Sequence, residues 1–174
     1  MKIKIRKAKK RDMKSVLELI NELAVFEKEP EAVIIDKNDL IRDGFGENPA
    51  FHCFVAEADG TIEGMALIYF RYSTWKGKTV HLEDLIVREK FRGKGLGSAL
   101  YTEVIKFAAD QKVKRTEWVV LNWNKDAADF YRRSGANVME DWDTVQMDEK
   151  SMQGVVRLNH AQADAIIVKL QTSD

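Results

Sequence analysis

Ile3 and Ile5 alternate with Lys2, Lys4, Arg6 and Lys7, and this period of two predicts a half-buried strand over residues 2 to 7. From Met13 the spacing widens. Met13, Val16, Leu17, Ile20, Leu23 and Ala24 follow the 3.6-residue period of a helix, with Asp12 near its start and Pro30 barring any continuation. A shorter helix is expected from Asp36 through Arg42, before Gly44, Gly46 and Pro49 break the chain. Two strands follow, about 51 to 58 and 62 to 70, joined by Ala58-Asp59-Gly60, the signal of a tight hairpin. After a turn at Trp75-Lys76-Gly77-Lys78, a strand over 79 to 87 leads to a helix over 95 to 110. The β-rich run Thr116 to Leu121 precedes Asn124, well placed to cap a helix reaching about Ser134 and closed by Gly135. A strand around 143 to 148 is expected to complete the sheet, and residues 154 to 174 carry no assignment. The order is mixed α/β, with a hairpin-rich first half and a βαβα second half.

The junction of strand 79 to 87 with the next helix carries the chemistry. Leu82-Glu83-Asp84-Leu85-Ile86-Val87 runs toward Arg92-Gly93-Lys94-Gly95-Leu96-Gly97, and Leu100, Val104, Phe107 and Ala108 then recur at helical spacing. Glycines so placed let the backbone approach a ligand where free N–H groups and the positive end of the helix dipole face outward, a site suited to a diphosphate. Two familiar phosphate loops do not fit: Gly-x-x-x-x-Gly-Lys-Ser/Thr is absent, and a dinucleotide fingerprint lacks its third glycine at the needed spacing. A plain strand-to-helix turn remains the alternative. The alternation of Val80, Leu82 and Asp84 gives way to Leu85-Ile86-Val87, which predicts a bulge there.

Composition narrows the classes. A chain of 174 residues with 45% hydrophobic content buries one good core, so a single domain is expected over 1 to 153 with an extension over 154 to 174. Lysine plus arginine and aspartate plus glutamate both number 28, so no net field draws the chain to nucleic acid. The basic start, Lys2 to Lys14, reads as a solvated edge rather than a nucleic-acid arm. The single cysteine, Cys53, excludes an internal disulfide and lies in a strand-like run as a packed thiol. His52, His81 and His160 are scattered without zinc spacing, so no metal is expected. No apolar run is long enough to span a bilayer, and a cytoplasmic location without membrane contact is expected.

The pattern Arg-x-x-Gly-x-Gly, read at Arg92, Gly95 and Gly97, resembles the coenzyme A pyrophosphate loop of the GNAT acetyltransferases. Further segments resemble the spermidine/spermine and thialysine acetyltransferase branch of that family: Asp39 to Glu47, Phe51 to Glu57, Leu82-Glu83-Asp84 and Phe130 to Ala136. The likeness covers about residues 3 to 150. It implies a mixed, mostly antiparallel twisted sheet flanked by helices, whose fourth and fifth strands, 79 to 87 and 116 to 121, splay to admit the pantetheine arm. It further implies acetyl-CoA as cosubstrate, held by Leu85, Ile86 and Val87, by Arg92, Gly93, Lys94, Gly95, Leu96, Gly97 and Ser98, and by Asn124 and Tyr131. Tyr131 matches the tyrosine that protonates the departing thiolate. A homodimer is also implied, and the apolar run Ala165 to Val168 in the tail fits a buried contact.

Acyl transfer to an amine needs that amine neutral, and a basic amine with a pKa of about 10 is protonated at pH 7, so a base or a water path must take the proton. Glu83 is the candidate base and Asp84 the second choice, against a plain surface-pair role. Glu27, Glu83, Asp84, Glu140 and Trp142 are the candidate acceptor-side residues, with Glu29, Glu31, Asp141 and Asp143 adding negative charge. Three departures from the branch matter: Phe26 replaces a tyrosine, Ser73 an aspartate, and Asp141-Trp142-Asp143 a Gly-Trp-Arg. The expected activity is therefore N-acetylation of a small cationic amine (a diamine, a polyamine or a lysine-like amino acid) by direct attack in a ternary complex. Acetylation of a protein or peptide amine, and an idle acyl-CoA-binding module, are the alternatives.

Overall fold

The computed structural model describes residues 2–157. The chain divides into two compact units, Met1–Leu121 and a second that begins at Asn122. In the first, β1 (Ile3–Lys7) is followed by a 3-10 turn, then α1 (Met13–Phe26), α2 (Lys37–Gly44), β2 (His52–Ala58), β3 (Thr61–Ser73) and β4 (Gly77–Val87). A second 3-10 turn, Glu89–Phe91, leads to α3 (Leu96–Asp110) and the short β5 (Thr116–Glu117).

These strands form one sheet in the order β1-β2-β3-β4-β5. The first three pairings are antiparallel and β4 with β5 is parallel, as the mixed, mostly antiparallel expectation required. Local chemistry accounts for this order. Asp59 and Gly60 adopt φ of 48° and 89°, the left-handed pair that lets two residues reverse the chain between β2 and β3. A parallel neighbour needs a crossover instead, and α3 supplies it.

Alternate strand residues feed opposite faces. Leu96, Leu100, Val104 and Ala108 of α3 pack on Phe54, Ala56, Ala66, Ile68, Val80 and Leu82. On the other face, Met13, Val16 and Leu19 of α1 and Leu40 of α2 cover Cys53, Val55, Met65, Leu67 and Ile86. At Gly64 of β3 the packing leaves no room for a side chain: a Cβ there would stand 2.9 Å from the Ile86 carbonyl and 3.2 Å from Leu100 Cδ1.

Three local expectations change. Asp12 does not cap α1 through its side chain; its buried carboxylate accepts from the Arg6 guanidinium at 2.6 and 3.1 Å and from the Lys9 amide at 2.7 Å, joining β1 to the turn before the helix. The run 116 to 121 pairs only at Thr116 and Glu117. Residues 143 to 148 are not a strand. Val145 is 91% exposed, and without a pairing partner among the described residues its β propensity yields no ladder.

In the second unit, α4 spans Lys125–Arg133. The Asn124 carboxamide oxygen accepts from the Ala127 amide at 3.3 Å, and Gly135 follows with φ of 94°. Residues 149–157 are helical, and the expected dimer segment Ala165 to Val168 lies outside the described residues. No helix among the described residues is long and apolar enough to cross a membrane.

Candidate active site

The register of β4 on β3 sets the first half of the site. Leu82 pairs with Ile68 and Asp84 with Leu67, which leaves Glu83 as an extra residue in β4. This is the bulge, two residues before the Leu85 to Val87 position expected from the sequence. The triplet reflects a strand covered on both faces, and the change of period before it is the trace of this bulge. Val80, Leu82, Leu85 and Val87 all pack toward α3, although the first pair is even-numbered and the second odd. The inserted residue resets the parity. Glu83 and Asp84 consequently share the α1 side of the sheet, whereas in a regular strand one of these neighbours would point into the α3 core.

On that side the two carboxylates meet Glu27, the residue that ends α1. Burial, then the charges of Glu83 and Glu27, push the Asp84 carboxyl up to about 7. Burial, reinforced by Glu83, also raises Glu27. Tyr69 of β3 and His81 of β4 complete the group, their rings 5.0 Å apart. The Tyr69 phenol is raised by burial and by neighbouring Glu83. His81 Nε2 lies 3.6 Å from Glu83 Oε2. Burial nevertheless lowers the imidazole, outweighing the opposite pull of Glu83, so at neutral pH this is a contact of neutral ring and carboxylate rather than an ion pair. Sequence reading set His81 aside as a scattered histidine. Its signal was its place two residues before Glu83 on one strand, and Tyr69 was missed because only the β3–β4 register brings it opposite His81.

The glycine loop leads from the end of this strand. Gly93 and Gly95 adopt φ of 71° and 85°, which explains their lack of side chains by backbone conformation. Gly97 differs. It sits in the first turn of α3, and a Cβ on it would meet only Val87 Cγ2, at 3.8 Å, so neither crowding nor strain within the protein demands glycine. The space suits close approach by a ligand. The first turn-closing bond runs from the Ala99 amide to the Gly95 carbonyl at 3.0 Å, and the amides of Leu96, Gly97 and Ser98 precede it at the helix N-terminus. Arg92 folds back, donating Nε–H to the Val87 carbonyl at 3.1 Å, with its guanidinium 5.2 Å from the Phe26 ring centre. The β4–β5 ladder ends at His81 and Glu117, so Leu82 to Val87, including Leu85 and Ile86, have no β5 partner along that edge. These features fit a pyrophosphate at the loop and an extended chain along β4.

The second unit holds the remaining candidates. Tyr131 is buried on α4, its ring centre 5.4 Å from that of Phe130. Glu140 Oε1 lies 3.8 Å from Arg132 Nη2, while Trp142 is exposed. The structure thus groups Glu27, Glu83 and Asp84 in the first unit and places Asn124, Tyr131, Glu140 and Trp142 in the second. Cys53 is buried, its thiol pushed up to about 12 chiefly by burial, which suits packing and not nucleophilic attack.

Comparison with known proteins agrees with this geometry. Residues 13–136 match the model of the Acetyltransferase (GNAT) family. The chain is 40% identical over 159 residues to a thialysine N-epsilon-acetyltransferase of Sus scrofa, covering 85% of this chain and 94% of that protein. It is 34% identical over 139 residues to the spermidine/spermine N(1)-acetyltransferase-like protein 1 of Homo sapiens, covering 76% of this chain but 20% of that one. Among solved structures, an integron cassette protein from V. cholerae superposes with a TM-score of 0.74 at 20% identity, covering 90% of this chain and 98% of the other, a likeness of fold. A sheet with a parallel fourth and fifth strand, a glycine loop opening α3 and a family match over most of the chain leave one assignment: this is an N-acetyltransferase of the GNAT family.

Proposed function

We propose that the chain transfers the acetyl group of acetyl-CoA to a primary amine of a small cationic molecule: a diamine, a polyamine or a lysine-like amino acid. The observation that carries this reading is the bulge at Glu83, which sets Glu83 and Asp84 beside Glu27 on one face of the sheet. A concentration of carboxylates attracts cations although the chain has a net charge of zero. The thialysine acetyltransferases among the relatives act on an amine of this class.

Each residue then has a role. Arg92, Gly93, Lys94, Gly95, Leu96, Gly97 and Ser98 bind the pyrophosphate, and backbone groups of Leu85 to Val87 line the pantetheine, with Asn124 contacting its amide. Acetyl-CoA supplies an activated acyl carbon. Glu83, exposed enough to meet an amine and tied to His81, accepts the ammonium proton, directly or through water. The freed nitrogen attacks the thioester carbonyl, the C–S bond breaks as Tyr131 gives its proton to the sulfur, and the second proton shed by the nitrogen on becoming an amide restores the phenol. A phenol, with a reference pKa of about 10, is protonated at pH 7 yet able to give that proton to a thiolate. Resemblance of the run Asn124 to Tyr131 supports this last role. Glu27, Asp84, Glu140 and Trp142 hold the amine. The same carboxylates stabilise its ammonium form, so activity climbs with pH until the amine is neutral. We assign a homodimer and a cytoplasmic location to the same reading.

Incubation of pure protein with acetyl-CoA and separate amines, following free thiol and the acetylated product, tests the proposal. Thiol release that depends on a diamine, a polyamine or a lysine analogue is expected. Release only with a peptide amine would instead favour a protein acetyltransferase, and none with any amine an idle acyl-CoA-binding module.

A further inference from the structure

Between β4 and the glycine loop lies a cluster of charges that the proposed chemistry does not use. Glu63 of β3 is 3% exposed, and a carboxylate so buried is tolerated only when paired. Its partner is Arg88, the first residue after β4: Arg88 Nε lies 3.4 Å from Glu63 Oε2, and the Arg88 amide donates to the Glu63 carbonyl at 2.9 Å. Lys90 adds a second cation, Nζ standing 3.3 Å from Glu63 Oε1. The other nitrogens of the same guanidinium turn to α1, where Nη2 meets Glu18 Oε2 at 3.0 Å and Nη1 donates to Glu22. Glu18 and Glu22 are one helical turn apart and so present one face to the fork.

One planar cation therefore spans two elements with separate duties in the proposed reaction. Arg88 sits where the chain leaves β4 for the loop that holds the pyrophosphate, four residues before Arg92. Helix α1 ends at Phe26, whose ring faces Arg92, and at Glu27, whose carboxylate belongs to the acidic group beside Asp84. A shift of α1 relative to the strand end displaces Glu27 from Asp84. A shift of the strand end displaces the loop. Guanidinium geometry holds both at once, whereas a lysine offers a single point of charge.

We propose that Arg88 is a positioning residue for both substrates: through Glu63 it fixes the strand end from which the coenzyme loop departs, and through Glu18 and Glu22 it fixes the helix that carries Glu27 to the amine. Because the two halves share one side chain, coenzyme and amine each favour the same placement of α1 against β4, so each tightens the binding of the other by the same factor. This rests on the acetyl-transfer reading above. The Arg88 nitrogens are engaged by Glu63, Glu18 and Glu22, so its loss acts on binding and leaves the proton transfers of Glu83 and Tyr131 alone.

The test separates positioning from simple stabilisation. Arg88→Met should raise KM for acetyl-CoA and for the amine by about tenfold each with kcat within about twofold, and should lower Tm, since it leaves buried Glu63 with Lys90 alone. Pairing it with Glu63→Val removes the under-compensated buried charge, so E63V/R88M should recover Tm while both KM values stay high. Arg88→Lys should restore part of each. E18Q/E22Q, which leaves the Glu63 contact intact, should raise the KM of the amine more than that of acetyl-CoA. Calorimetry of coenzyme A binding with and without the amine supplies the coupling factor, which should fall toward one in R88M. Recovery of both KM values together with Tm in E63V/R88M, or an unchanged amine KM in E18Q/E22Q, would overturn the proposal. A wild-type protein that binds no coenzyme A overturns the acetyl-transfer reading itself, whereas normal wild-type binding with R88M indistinguishable from it overturns only the role of Arg88.

Discussion

Asp84 and Tyr131 are the residues whose environments most constrain the chemistry. With its carboxyl pushed up to about 7, mainly by burial, Asp84 binds a proton in the fold that it releases in the unfolded chain, where its pKa is near 3.8. The native state thus holds more protons between about pH 4 and 7, and stability contributed at this site is full below that window and lost as pH rises through it. Asp84→Asn should flatten this component. The Tm difference between D84N and wild type should grow in favour of the variant from pH 5 to pH 8, and a constant difference would mean that Asp84 is not raised. For Tyr131→Phe the readout is turnover. Loss of a general acid should lower kcat about a hundredfold with coenzyme affinity little changed, provided chemistry limits the rate. A near-normal kcat would return Tyr131 to packing.

At the scale of elements, the glycine loop and the bulged strand show what was readable and what was not. The helix starting at Leu96, the hairpin at Asp59-Gly60 and the cap at Asn124 followed from local chemistry, because each depends on residues within one or two turns. The position of the bulge did not. Glu83 becomes the extra residue only through the pairing of β4 with β3, and a strand covered by helices on both faces hides its alternation. For the same reason Tyr69 and His81 stayed out of view, and Asp12 looked like a helix cap although its distant partner Arg6 claims the carboxylate. The expected strand over 143 to 148 failed in the opposite way, since propensity without a pairing partner forms no ladder. The loop also yields a direct test. Gly97→Val places methyl groups in space that the protein leaves open, so coenzyme A affinity by calorimetry should fall sharply while Tm changes little. Unchanged affinity would remove the pyrophosphate from α3.

For the whole molecule, neutrality conceals a local field: 28 cationic and 28 anionic side chains cancel, yet Glu27, Glu83 and Asp84 gather on one side of the sheet. The proposed homodimer should sediment at twice the mass of the 20.0 kDa chain at micromolar concentration, and a monomer there would reject it. Charge at the acceptor side is the central claim, and its test is kcat/KM for acetylation of putrescine, spermidine, lysine, thialysine and a neutral amine of similar size, at low and high salt. Screening weakens attraction of the amine more than it alters proton transfer inside a cleft. The cationic amines should therefore be preferred, with added salt raising KM more than it lowers kcat. Preference for the neutral amine, or rates indifferent to salt, would contradict the account.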